Sequence, residues 1–125
     1  MQQAVQHNKG LVLHDVAESL EGSSKKDLLQ SALACFEEAL TIYIQEKDIL
    51  SCAREQSSKG NVLYDLSKIV RGAEHVAILS AALDSYDAAL SVYTPKMMPA
   101  DWAMVQNNKA STFLSLAERL KGTQQ

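Results

Sequence analysis

The chain has 125 residues, 46% of them hydrophobic and 22% charged, a balance that excludes a disordered chain and fits a single folded domain, residues 1–125. Its formal charge of −3 gives no broad attraction to phosphate backbones, so no nucleic-acid partner is expected. No apolar run approaches the roughly 20 residues of a bilayer span, and Met1-Gln2-Gln3-Ala4 lacks the basic and apolar parts of a secretory signal, so the expectation is a cytoplasmic protein with no membrane partner.

Internal repetition governs the reading of the elements. Gln6-His7-Asn8-Lys9-Gly10 through Gly22, Gln56-Ser57-Ser58-Lys59-Gly60 through Gly72, and Gln106-Asn107-Asn108-Lys109-Ala110 through Gly122 align without gaps. Each segment stands fifty residues after the one before it. Between them, Ala32-Leu33-Ala34-Cys35-Phe36-Glu37-Glu38-Ala39-Leu40 and Ala82-Leu83-Asp84-Ser85-Tyr86-Asp87-Ala88-Ala89-Leu90 show the same offset.

The first segment predicts a helix over about Gln3 to Glu21, with Leu13, Val16 and Leu20 on one stripe. Gly22 is expected to cap its C-terminus, as are Gly72 and Gly122 at the corresponding places. Ser24 and Asp27 form a candidate capping box for a second helix, from near Lys25 to Lys47. On that helix Ala32, Phe36 and Ala39 share a face, as Ala82, Tyr86, Ala89 and Tyr93 do on its counterpart. An aromatic knob between alanines lets a neighbouring helix come close and lodge against the ring.

Asp48 is the expected N-cap of a third helix running to Arg71, and a fourth covers about Glu74 to Thr94, where Pro95 would stop it. Pro99 suits the first turn of a last helix carrying Trp102, Val105, Phe113, Leu116 and Leu120. Only Thr123-Gln124-Gln125 remain after it, so no sixth helix is expected. The architecture predicted is therefore all-α: antiparallel helical hairpins in the order A, B, A, B, A. The first repeat spans about 1–48, the second about 49–98, and the final A helix about 99–122. Lone hairpins leave apolar faces uncovered, so stability must come from stacking them.

These residues resemble the tetratricopeptide repeat family. Gly10 and Gly60 match its small residue in helix A, and Ala32, Phe36, Ala39 and Leu40, then Ala82, Tyr86, Ala89 and Leu90, match its helix B pattern. The run Pro99-Ala100-Asp101-Trp102-Ala103-Met104-Val105-Gln106-Asn107-Asn108, followed by Leu116-Ala117-Glu118-Arg119, looks like the long-period arrays of bacterial multidomain signalling proteins. The period here is fifty, against 34 in the standard repeat, so both helices should be longer. The resemblance implies a module that binds a protein or peptide in a groove lined by the A helices. Carried over position by position, that groove comprises His7, Leu11 and His14, then Ser57, Asn61 and Tyr64, then Asn107, Ser111 and Leu114. Chaperone-binding members use a basic clamp, and these positions are mostly neutral, which disfavours that partner.

Lys9, Lys59 and Lys109 stand where the family has an apolar residue, and two readings of them remain open. Either each aliphatic stem covers core while its head reaches water or a carboxylate such as Glu37 or Asp87, or the three form a ladder of positive charge that contacts an acidic ligand. His7 and His14 share a helix face, but about 10 Å along the axis separates them and Gly10 and Leu11 supply no ligand between. No metal and no cofactor are expected. Cys35 and Cys52 lack metal spacing and are expected to be reduced structural thiols. No acid–base pair or activated nucleophile is visible, so the chain is not expected to be an enzyme. The last A helix has no B helix to cover its far side. Trp102 is expected to pack on the end of the second hairpin. The alternative is an apolar patch of Trp102, Val105 and Phe113, covered by a homodimer or by continuation of the array. On that alternative the chain is a structural or oligomerisation segment.

Overall fold

In the computed structural model, which describes residues 1–123, the helices are α1 (Gln2–Glu18), α2 (Gly22–Glu46), α3 (Ile49–Ser67), α4 (Gly72–Leu90) and α5 (Pro99–Thr123). No strand occurs among the described residues. Every helix packs on the next in the chain, and the connections are short, so neighbours run antiparallel as hairpins. Helices α1, α3 and α5 are the A helices, and α2 and α4 the B helices. The expectation of no sixth helix falls on Gln124 and Gln125, outside the described residues.

The reason the hairpins close is visible at Gly10 and Gly60. A Cβ built on Gly10 would sit 2.7 Å from Phe36 Cε1, and one on Gly60 would sit 2.6 Å from Tyr86 Cε1. The bare backbone of the A helix is thus the seat for the ring of its B helix, once in each repeat. Both rings are fully buried. Around Phe36 lie Ala17, Leu29, Ala32, Val62 and Leu66, and around Tyr86 lie Ala53, Leu63, Ala82, Ala89, Tyr93 and Val105. Leu33 and Ile78 touch both groups, which makes the two repeats one continuous core.

Several helix ends differ from the sequence expectation. α1 stops at Glu18, because Ser19 and Leu20 turn their amides back onto Val16 and Ala17. Gly22 does not cap α1; it opens α2 with φ +68, and Gly72 opens α4 with φ +66. A left-handed glycine reverses the chain through the backbone alone. The next helix therefore begins at once and takes Ser24 into its first turn, so no Ser24–Asp27 capping box forms. Gly122 lies inside α5. α3 ends at Ser67 instead of Arg71, and α4 ends at Leu90, where Val92 and Tyr93 both bond the Ala89 carbonyl in a tight turn. Pro95 thus falls beyond the helix it was expected to stop. Asp48 does cap α3, its carboxylate accepting from the Ser51 amide at 3.1 Å and the Ser51 hydroxyl at 2.8 Å. Pro99 begins α5.

Candidate functional site

Two surfaces present themselves, one on each side of the helix layer. On the A side, neighbouring A helices are tied by polar side chains. His7 Nδ1 of α1 lies 2.9 and 2.8 Å from the two carboxylate oxygens of Glu55 in α3. Further along, His14 Nε2 lies 2.7 Å from Asp65 Oδ2. Between α3 and α5, Asn108 Nδ2 donates to Asn61 Oδ1 at 3.0 Å, and the Tyr86 hydroxyl donates to the same oxygen at 2.7 Å.

Glu55 is fully buried, although its counterparts in the other copies are Val5 and Val105. A buried charge is tolerable only when paired on several sides, and Glu55 also accepts from Arg54 Nε at 3.0 Å, while Arg54 Nη2 donates to the Tyr43 hydroxyl at 2.9 Å. Burial works against the Arg54 charge, and Glu55 and Tyr43 more than restore it, so the guanidinium is held above its usual range. Burial would likewise raise the Asp65 carboxyl, but His14, Lys68 and Lys25 outweigh it and hold Asp65 below the ordinary carboxylate range. Burial, with the Asp65 charge adding to it, pushes the Tyr86 phenol far above its usual value, although Thr112 opposes. Tyr86 is therefore a permanent donor.

The residues expected to line an A-side groove divide in consequence. His7 and Ser57 are buried and face neighbouring helices. Neither is open to a partner: His7 lies between Glu55 and the Phe36 ring, whose centroid is 5.9 Å away, and Ser57 is 5% exposed. His14, Asn61, Tyr64 and Ser111 are half-buried, the first two engaged as described, while Leu11, Asn107 and Leu114 are exposed. The two histidines take different partners, Glu55 and Asp65, about three turns apart on α3.

The repeated lysines lie elsewhere, on the seams between A and B helices. Lys9 shares a pocket with Ala34, Cys35 and Glu38, and Lys59 one with Ala81, Asp84 and Ser85. Lys109 Nζ is 2.7 Å from Asp87 Oδ1, an ion pair from the last A helix back to the preceding B helix. That is the reading in which the head finds a carboxylate. Of the three residues expected in an apolar end patch, Val105 is fully buried and Trp102 is half-buried against the second core group, so neither is available as patch surface. Phe113 alone stands out, 58% exposed where its counterpart Leu63 is 5% exposed.

The other surface is on the B side. Between the C-terminal ends of α2 and α4, above the first turns of α3, lies an apolar trough of about 470 Å³. Its walls are Leu40 and Ile44 on one side and Ala88 and Val92 on the other, with Ile49, Cys52 and Ala53 as its floor. Ile44 and Ile49 are 59% and 63% exposed. Cys52 and Cys35 are both free thiols, and burial, reinforced by Asp48 and Glu55, pushes the Cys52 thiol up, so it stays protonated and unreactive. The trough was not foreseen from sequence, because its lining comes from three helices and Ile44 and Ile49 stand at helix ends, outside the repeated packing faces. Comparison with family models, curated proteins and solved structures finds no match to this chain.

Proposed function

We propose that this chain is a non-catalytic helical-repeat interaction module of the tetratricopeptide-like kind, which docks a peptide presenting aliphatic side chains. The observation that carries this reading is the open trough lined by Leu40, Ile44, Ile49, Ala53 and Val92, an apolar concavity where isoleucines face solvent. The A side, first expected to hold the partner, supports docking less well because its polar groups already satisfy one another across helices. A cytoplasmic setting accords with this role, and no helix among the described residues is long and apolar enough to cross a membrane.

The test is capture of partners from lysate with identification by mass spectrometry, followed by binding of the identified partner to variants. Ile44→Lys with Ile49→Lys is expected to weaken binding by at least about tenfold, since each places a charge in an apolar contact. Leu11→Ala with Leu114→Ala on the A side should leave it unchanged. The opposite pattern would move docking to the A helices. Asn61 is a poor probe, because it holds both Tyr86 and Asn108.

A second reading rests on Phe113: among the described residues no helix covers it as the second core group covers Leu63 in the preceding copy, and self-association through α5 would make the chain an oligomerisation segment. Sizing at several concentrations separates the two. Dimers that disappear in Phe113→Glu favour self-association, and a monomer throughout removes it.

A further inference from the structure

His14 and Glu18 stand one turn apart on α1, so their side chains rise from the same face. Across from them α3 supplies Asp65, whose Oδ2 already meets His14 Nε2 at 2.7 Å. One donor atom from each of the three lies within 4.8 Å of the others. A tetrahedral ion with nitrogen and oxygen ligands at 2.0–2.2 Å holds those ligands roughly 3.4 Å apart. The gap is closed mainly by Glu18, an exposed side chain with several free torsions, while His14 and Asp65 need only separate slightly.

Repeat packing does not call for this set. At the next A-helix junction the corresponding positions hold Tyr64, Lys68 and Ser115, which offer no comparable group of ligands. The three donors therefore meet at one junction only, between the first and second repeats. Lys68 lies at 3.7 Å from the other oxygen of Asp65, Oδ1, and 4.5 Å over the Tyr64 ring, which leaves Oδ2 directed at His14.

We propose that His14, Glu18 and Asp65 form a binding site for a divalent transition-metal ion of the zinc class, clamping α1 to α3. One imidazole and two carboxylates suit such an ion, and three protein ligands leave a coordination position for water. Sequence spacing could not reveal it, because the third ligand comes from a helix fifty-one residues along the chain. The site stands independently of whether a peptide docks in the trough on the opposite side.

The experiment is calorimetric titration of the metal-free full chain with zinc, alongside His14→Ala, Glu18→Gln and Asp65→Asn, each checked for retained helix by circular dichroism. The wild type is expected to take up an ion that each variant binds at least about tenfold more weakly. Zinc should also raise the thermal midpoint of the wild type more than that of any variant. Glu18→Gln is decisive where the others disturb packing, because Glu18 is exposed. Undiminished zinc affinity in His14→Ala or Glu18→Gln would place the ion on other groups, such as the cysteines, and overturn the proposal. Absence of zinc uptake by the wild type would overturn it equally.

Discussion

At the scale of single residues, glycine does two unrelated jobs in this chain. Gly22 has nothing within 4 Å of a built Cβ but sits at φ +68, whereas Gly60 is an ordinary helical residue whose Cβ would strike the Tyr86 ring. The Tyr86 ring cannot retreat, because it is fully buried and its hydroxyl is bonded to Asn61. Gly60→Ala gains about 1 kcal/mol of helix propensity and loses about 1–3 kcal/mol to overpacking. A net loss of up to about 2 kcal/mol is expected, read as a lower urea midpoint with an unchanged slope; a rise in the midpoint would contradict the ring-seat account. The seat was legible in sequence from glycine and aromatic recurring together at the fifty-residue offset. The hydroxyl's acceptor was not, although the pairing is consistent: where the second copy has Tyr86 with Asn61, the first has Phe36 with Leu11. Glu55 could have been noticed for a similar reason, as a charge in a register otherwise held by Val5 and Val105.

At the scale of elements, type and order follow from periodicity, while ends depend on backbone geometry that periodicity does not encode. Lys47 illustrates this. It closes α2 in the left-handed region at φ 60, where its amide bonds the Ile44 carbonyl and the Asp48 amide bonds that of Tyr43. A side chain in that conformation costs about 1 kcal/mol relative to glycine. Lys47→Gly is accordingly expected to stabilise the protein by about 0.5–1 kcal/mol, seen as a rise in thermal midpoint, and a fall would show that the lysine stem contributes more by packing than it costs in strain. The hairpin turns at Gly22 and Gly72 were misplaced in the sequence reading because a glycine after an apolar stripe marks a reversal without saying which helix it belongs to.

At the scale of the whole molecule, the repeats are joined by one apolar core and by a polar seam, and the seam makes stability depend on pH. The Asp65 carboxyl in the folded protein is held low by His14, Lys68 and Lys25 against burial, and that of Asp48 is held low by its bonds from Ser51. Both groups bind protons more weakly when folded, so their contribution is complete above the unfolded carboxylate value of about 3.9 and is lost as pH falls through the folded values. Denaturant midpoints measured downward from neutral pH should therefore decline in acid. In Asp65→Asn that decline should be shallower, and an identical acid limb would show that the His14–Asp65 contact does not couple to folding.

From the order of residues alone it is settled that helices form and pair, because 3.6-residue periodicity, small–aromatic alternation and a fifty-residue offset are all written along one dimension. Which surface is open was decided by tertiary packing. His7, Ser57 and Val105 share helix faces with exposed residues and are buried, while Ile44 and Ile49 sit at helix ends and are left uncovered. The physical reason is distance along the chain. The partners that cover or engage these groups come from other helices, and the gap between α2 and α4 exists only once three helices have taken their places.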